Sequence, residues 1–118
     1  DRFLHRVPYE KTPEVYAACD ILLKTSLLES FSYPPLEMMA SGGYVVAVPN
    51  GGNLEYLKDG ENCILYPQGN LAEAKAAIER ILTDAELRKK LDTGAEETVK
   101  ERNWKRIEPQ ILEQYLGK

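Results

Sequence analysis

Glu29-Ser30-Phe31-Ser32-Tyr33-Pro34-Pro35-Leu36-Glu37 is the stretch on which the reading of the fold turns. An apolar run at Asp20–Lys24 precedes it and reads as a short buried strand, followed by a polar loop. Pro35 then opens a helix carrying Leu36, Met38, Met39 and Ala40, which Ser41-Gly42-Gly43 stops. A residue that precedes proline is pushed out of the α region, so Pro34 is placed before the helix and Pro35 at its first position. On that placement the N–H groups of Leu36 and Glu37 have no intrahelical acceptor and point back at the loop. Such a mouth attracts anions, phosphate above all, although the dipole adds only about 0.3–1 kcal/mol at an exposed site. Glu29 in the loop and Glu37 in the first turn flank it. Carboxylates accept hydrogen bonds from hydroxyls, so this mouth suits a ligand with both phosphates and vicinal hydroxyls, such as a sugar nucleotide. A first-turn Glu is favoured in any helix, and Glu29 also fits a solvated loop acid, so residue chemistry alone leaves both readings open.

Outward from this stretch, strands and helices alternate. Arg2–Val7 reads as a first strand, and Thr12 as the N-cap of a short helix with Pro13 at its first position. Tyr44–Val48 is β-branched and nearly continuous, as expected of a strand covered on both faces. Asn50-Gly51-Gly52-Asn53 is a turn, Leu54–Lys58 a short helix closed by Asp59-Gly60, and Cys63–Tyr66 a fourth strand. This alternation over residues 1–70 predicts βαβ units and a Rossmann-like parallel sheet of about four strands, an α/β fold. Beyond residue 70 the pattern is helical. Leu71, Ala74, Ile78, Ile81 and Leu82 form one stripe, and Thr83 or Asp84 caps a helix through Leu91. A third helix covers Ala95–Arg102, and Trp104–Leu116 is the last, with Ile107, Ile111, Leu112 and Tyr115 on one face. Ligands of open parallel sheets bind outside the carboxyl ends of the strands, where the loops Thr25–Pro34 and Pro49–Asn53 both fall. Gly51-Gly52 would let backbone approach a ligand there, or serve a tight turn with positive φ.

The 118 residues make one domain, 43% hydrophobic and 29% charged, with a net charge of -4. That mild acidity, without a basic stripe, argues against a nucleic-acid surface. No apolar run is long enough to cross a bilayer, and no signal peptide is evident. Cys19 and Cys63 lie far apart, outside any C-x-x-C pattern, and each reads as a small buried hydrophobe in a reducing compartment. His5 is the single histidine, which argues against a metal site or a Ser-His-Asp triad. The chain opens Asp-Arg-Phe without a methionine and reads as a piece of a longer protein.

A family resemblance rests on specific residues. These are Ser26-Leu27-Leu28-Glu29-Ser30-Phe31, Pro35-Leu36-Glu37-Met38-Met39-Ala40-Ser41-Gly42 and Val45-Val46-Ala47. They continue in Gly51-Gly52-Asn53-Leu54-Glu55, Lys58-Asp59-Gly60-Glu61-Asn62 and Leu65-Tyr66-Pro67-Gln68-Gly69, ending with Leu87-Arg88 and Trp104 in the helical tail. In that order the chain resembles the carboxyl-terminal, donor-binding portion of a retaining GT-B glycosyltransferase of the "glycosyl transferases group 1" type. Glu29 and Glu37 reproduce the two-glutamate motif of that family, with seven residues between them.

The resemblance implies a nucleotide-sugar partner and a reaction that moves the sugar to an acceptor hydroxyl with retention, in polysaccharide or glycoconjugate assembly. It implies Glu29 as the catalytic-site acid on the donor sugar, with the backbone of Ser30, Phe31 and Ser32 beside it. Glu37 would hold the ribose hydroxyls, and Leu36 and Gly51-Gly52 would lie against the donor. No metal or other cofactor is implied. The acceptor-binding amino-terminal domain would be missing chain, leaving this piece inactive alone, and its final helices would pack partly on that domain. The place would be cytoplasmic, with any membrane contact made through the missing domain. A nucleotide-sugar epimerase or phosphorylase on the same scaffold, and a non-catalytic binding subunit, are the alternatives. Thr25, Ser32, Tyr44 and Cys63 depart from the family's usual proline, glycine, proline and glycine, and Lys24 is expected to be structural or solvated.

Overall fold

A computed structural model describes residues 2–116, apart from the side chains of Trp104 and Tyr115. A 3-10 turn at Tyr9–Lys11 leads into α1 (Thr12–Ala17), followed by β1 (Ile21–Lys24), α2 (Tyr33–Ala40), β2 (Tyr44–Ala47) and β3 (Ile64–Leu65). Three helices complete the chain: α3 (Leu71–Thr83), α4 (Ala85–Glu101) and α5 (Trp104–Tyr115). The strands form one parallel sheet in the order β1-β2-β3, with Ile21 beside Tyr44, Lys24 beside Ala47 and Ala47 beside Leu65.

The central strand explains the packing. Val45, Val46 and Ala47 are wholly buried, and alternate residues of a strand face opposite sides. Val45 and Ala47 join Met38 and Met39 of α2, Tyr56, Leu57, Cys63 and Ala95 of α4 in one core. Val46 and Val48 join Ile64, Tyr66, Ala74, Ala77 and Ile81 of α3, and Leu91, in the other. The parallel α/β architecture read from the sequence is therefore present, with a helical layer on each face of β2.

Several local expectations are corrected. Arg2–Val7 forms no strand: β1 is an edge of the sheet, Arg6 takes a φ of 53°, and Phe3 is 88% exposed. A strand needs a paired neighbour, and this segment has none among the described residues. Thr12 lies inside α1 rather than capping it, because its N–H is already taken by the Tyr9 carbonyl of the preceding turn. Leu54–Lys58 forms no helix: turns run through Tyr56, and Leu57 and Lys58 are irregular. Asn62 explains why, since its side chain takes the Lys58 N–H at 2.8 Å and gives a bond to the Tyr56 carbonyl at 2.7 Å. The expected helices on either side of Thr93 are one helix, α4. Gly94 does not break it, and its missing Cβ lets α4 lie on the Glu61 backbone, which a side chain there would strike. Asp84, not Thr83, caps α4, accepting from Leu87 N–H at 3.0 Å. The fourth expected strand shortens to Ile64–Leu65, with Cys63 in a bridge to Asp59. In α5, Ile107 and Ile111 are partly buried and Leu112 is half exposed, while the expected position of Tyr115 on that face lies outside the described side chains.

Candidate functional site

The loops after β1 and β2 meet because their strands are hydrogen-bonded neighbours ending side by side. Asn50 ties them together. Its Nδ2 donates to the Ser26 carbonyl at 3.0 Å and to Glu29 Oε2 at 3.2 Å. Its Oδ1 accepts from the N–H groups of Gly52 and Asn53, and the Asn53 amide holds the Asn50 N–H and the Val48 carbonyl. A turn whose side chains take over the backbone bonding is rigid. The other oxygen of Glu29, Oε1, lies 2.6 Å from Lys24 Nζ, and that ammonium also donates to Ser26 Oγ at 2.9 Å. Burial alone would push the Glu29 carboxyl up, but Lys24, Ser32 and Asn50 outweigh it and hold it below its ordinary range.

Ser32 completes this cluster in an unusual conformation. It sits just before α2 with φ 70°, the left-handed region that glycine adopts without cost. Its carbonyl accepts from the Tyr56 hydroxyl. Its own hydroxyl is buried near the Glu29 carboxylate and is the one enclosed side-chain polar atom without a hydrogen-bond partner among the described residues. Phe31 anchors the loop by its ring, 5.3 Å from Tyr56 and 5.0 Å from Tyr33, with the Arg102 guanidinium 6.0 Å from its centroid. Ser30 is exposed. Gly52 is pressed against the loop: a Cβ there would stand 2.5 Å from the Glu29 carbonyl oxygen. Gly51 is open, and neither glycine has a positive φ, so a left-handed turn is not why they are there.

Glu37 occupies a second place. With Tyr9, Thr12, Pro13 and Tyr16 it lines a cavity of about 450 Å³ between α2 and the segment before β1. Burial, followed by the neighbouring Glu37 carboxylate, pushes the Tyr16 phenol up to about 12, so Tyr16 stays protonated beside Glu37. Glu29 does not line this cavity. The helix mouth also differs from expectation. α2 starts at Tyr33, so Pro34 is helical after all: the first turn needs no N–H from either proline, and that outweighs the pre-proline restriction. Glu37 is then the fifth helical residue, whose N–H has an intrahelical acceptor, and the Leu36 N–H faces the Tyr56 hydroxyl. The anion-binding mouth loses the two donors assigned to it.

The structure thus joins Glu29, Ser32 and Gly52 in one cluster and sets Glu37 in a neighbouring hollow. Phe31 and Leu36 pack into the core beside them. Sequence reasoning missed Asn50, seen only as a turn residue, and Tyr16, seen only as part of the short first helix, and gave Tyr9 no role. Lys24, expected to be structural or solvated, is paired with Glu29. A cation ending a strand five residues before a motif acid was the available signal. Among the described residues no three His, Cys, Asp or Glu side chains are gathered to hold a metal ion, and no helix is long and apolar enough to cross a membrane.

Comparison with known proteins gives the family and the fold. The family model "Glycosyl transferases group 1" matches residues 2–98. The "O-antigen biosynthesis protein RfbC" of Myxococcus xanthus is 35% identical over 117 residues, covering 97% of this chain and 9% of that protein. Sucrose-phosphate synthase of Thermosynechococcus elongatus superposes with a TM-score of 0.86 at 27% identity, over 98% of this chain and 29% of its own. HepE of Anabaena, solved in complex with UDP-glucose, superposes with a TM-score of 0.79 at 29% identity, over 90% of this chain and 30% of its own. The chain therefore spans under a third of each of these proteins.

Proposed function

The chain belongs to the glycosyl transferases group 1 family, and from that premise we propose that it is the donor-binding part of a retaining glycosyltransferase. The reaction is transfer of a sugar from a nucleotide diphosphate to an acceptor hydroxyl. The observation that carries this reading is the cavity of about 450 Å³ in which Glu37 stands beside Tyr9 and Tyr16. Its size suits a nucleoside, its carboxylate accepts from the two ribose hydroxyls, and its aromatic rings offer a face to a base. Glu29, held as an anion at the carboxyl end of β1, binds hydroxyls of the sugar, and the backbone of Ser30–Ser32 borders it. HepE, which shares the fold, was solved with UDP-glucose, which supports a uridine diphosphate sugar as the first donor to try. The likeness to an O-antigen biosynthesis protein supports polysaccharide or glycoconjugate assembly. The reaction needs no metal or other cofactor on this reading. Transfer requires donor and acceptor held together, so these residues alone bind donor without transferring it.

Calorimetric titration with UDP, GDP and dTDP sugars tests the reading. Saturable binding of at least one is expected, weakened by about 1.5–3 kcal/mol in Glu37→Ala, the range for a hydrogen bond to a charged group. Binding that is indifferent to Glu37→Ala would defeat the assignment of that cavity.

A further inference from the structure

We propose that Lys24 is a positioning residue for the donor sugar: its ammonium fixes one oxygen of the Glu29 carboxylate, so that the acid meets the sugar hydroxyls in a single orientation. This rests on the reading of Glu29 as the sugar-binding acid.

The geometry begins with a fixed base. Lys24 is the last residue of β1, and its carbonyl accepts from Val48 N–H at 3.1 Å, with the Tyr66 hydroxyl 3.5 Å away. From that anchored backbone the side chain reaches Glu29 Oε1 at 2.6 Å, while Ser26 Oγ takes a second proton of the ammonium at 2.9 Å. Lysine offers three donors, and two of them are now spent on defined partners. Glu29 Oε2 is held from the other side by Asn50. Both oxygens are therefore gripped by the protein, yet each carboxylate oxygen has a second lone pair with which to accept from a ligand.

Two features separate this pair from an ordinary surface ion pair. Lys24 and Glu29 side chains are only 18% and 17% exposed, so solvent screens them weakly. The Ser32 hydroxyl, 7% exposed and without a partner, is buried against the same carboxylate. Its dipole adds to the grip that Lys24 and Asn50 have on that carboxylate. Without Lys24 only the 3.2 Å bond from Asn50 holds the carboxylate, and the ordering that remains to be done on binding is subtracted from affinity. The lowered Glu29 carboxyl agrees with this role, because burial acts against the shift and Lys24 acts for it.

The test compares the full chain with Lys24→Met, which keeps length and loses charge, and Lys24→Arg, which keeps charge. Affinities for UDP and UDP-glucose are measured by calorimetry, and the Glu29 carboxyl is followed by carbon NMR against pH. The expected result is a UDP-glucose affinity about tenfold weaker or more in Lys24→Met, with UDP affinity unchanged. The Glu29 titration should move upward in Lys24→Met, and Lys24→Arg should recover most of both effects. Equal loss of UDP and UDP-glucose affinity would mark a merely structural residue and overturn the proposal, as would an unmoved Glu29 titration. UDP-glucose binding that survives Lys24→Met would also overturn it. A parent chain that binds neither compound would instead sink the donor reading and take this proposal with it.

Discussion

Replacing Gly52 by Ala should dislodge the loop that carries Glu29. An alanine Cβ at that position lies 2.5 Å from the Glu29 carbonyl oxygen, 2.9 Å from its carbon and 3.0 Å from the Phe31 nitrogen. All three are backbone atoms, which cannot rotate away. Ordinary contact begins near 3.4 Å, so the loop or the turn must retreat by 3.4 − 2.5 = 0.9 Å. The loop resists, because Phe31 is wedged against Tyr33 and Tyr56, and Ser26 and Glu29 are bonded to Asn50. Overpacking of this kind costs about 1–3 kcal/mol. The Asn50–Glu29 bond, already 3.2 Å, would be stretched out of range by the same movement. A loss of about 2–3 kcal/mol is expected, or a fall in Tm of roughly 6–15 °C for a chain of this size. Scanning calorimetry reads it, with Gly51→Ala as the control. Nothing lies within 4 Å of a Cβ at Gly51 and its φ is not positive, so that variant should be neutral or more stable by about 0.4–1 kcal/mol. Equal melting of the two variants would refute the packing described for Gly52.

Three further outcomes follow from single residues. Ser32→Gly should raise stability by about 1 kcal/mol, because it relieves a left-handed serine and removes an unpartnered buried hydroxyl; if it also leaves UDP-glucose affinity intact, that hydroxyl has no ligand role. Tyr16 has its phenol raised from 10 to about 12 in the folded state, so the stability it contributes is whole below about pH 10 and is lost as pH rises through about 12. Tyr16→Phe should flatten that part of the alkaline unfolding curve, and an unaltered curve would count against the burial of the Tyr16 phenol beside Glu37. Burial and the neighbouring Asp59 push the Cys63 thiol up to about 12, whereas Cys19 is exposed. Alkylation at pH 8 followed by mass spectrometry should label Cys19 alone until denaturant is added.

The parts of the fold legible in the sequence were those set by local pattern. Tyr44-Val45-Val46-Ala47 could only be a covered strand, and the stripe through Ala74, Ile78 and Ile81 could only be a packed helix. What could not be read was set by tertiary partners. Arg2–Val7 has strand-like composition, but pairing is not a property of composition. The chain between Leu91 and Ala95 reads as a break between helices until Gly94 is placed against the Glu61 backbone. Leu54–Lys58 looks helical until Asn62 takes over its backbone groups. The same division runs through the site. The two acids and their spacing are visible in the sequence. The Asn50 bonds that fix Glu29 cross 21 and 24 residues, and the tyrosines around Glu37 come from before β1, so neither has a local trace.

The division of labour between the two acids is tested most directly by UDP and UDP-glucose affinities of Glu29→Gln and Glu37→Gln, set against the parent chain. Glu37→Gln should weaken both compounds by the same factor, about ten- to a hundredfold, because the ribose is common to them. Glu29→Gln should weaken UDP-glucose alone. Loss of UDP affinity in Glu29→Gln as large as the loss of UDP-glucose affinity, or unchanged affinities in both variants, would contradict the assignment of sugar to one acid and ribose to the other.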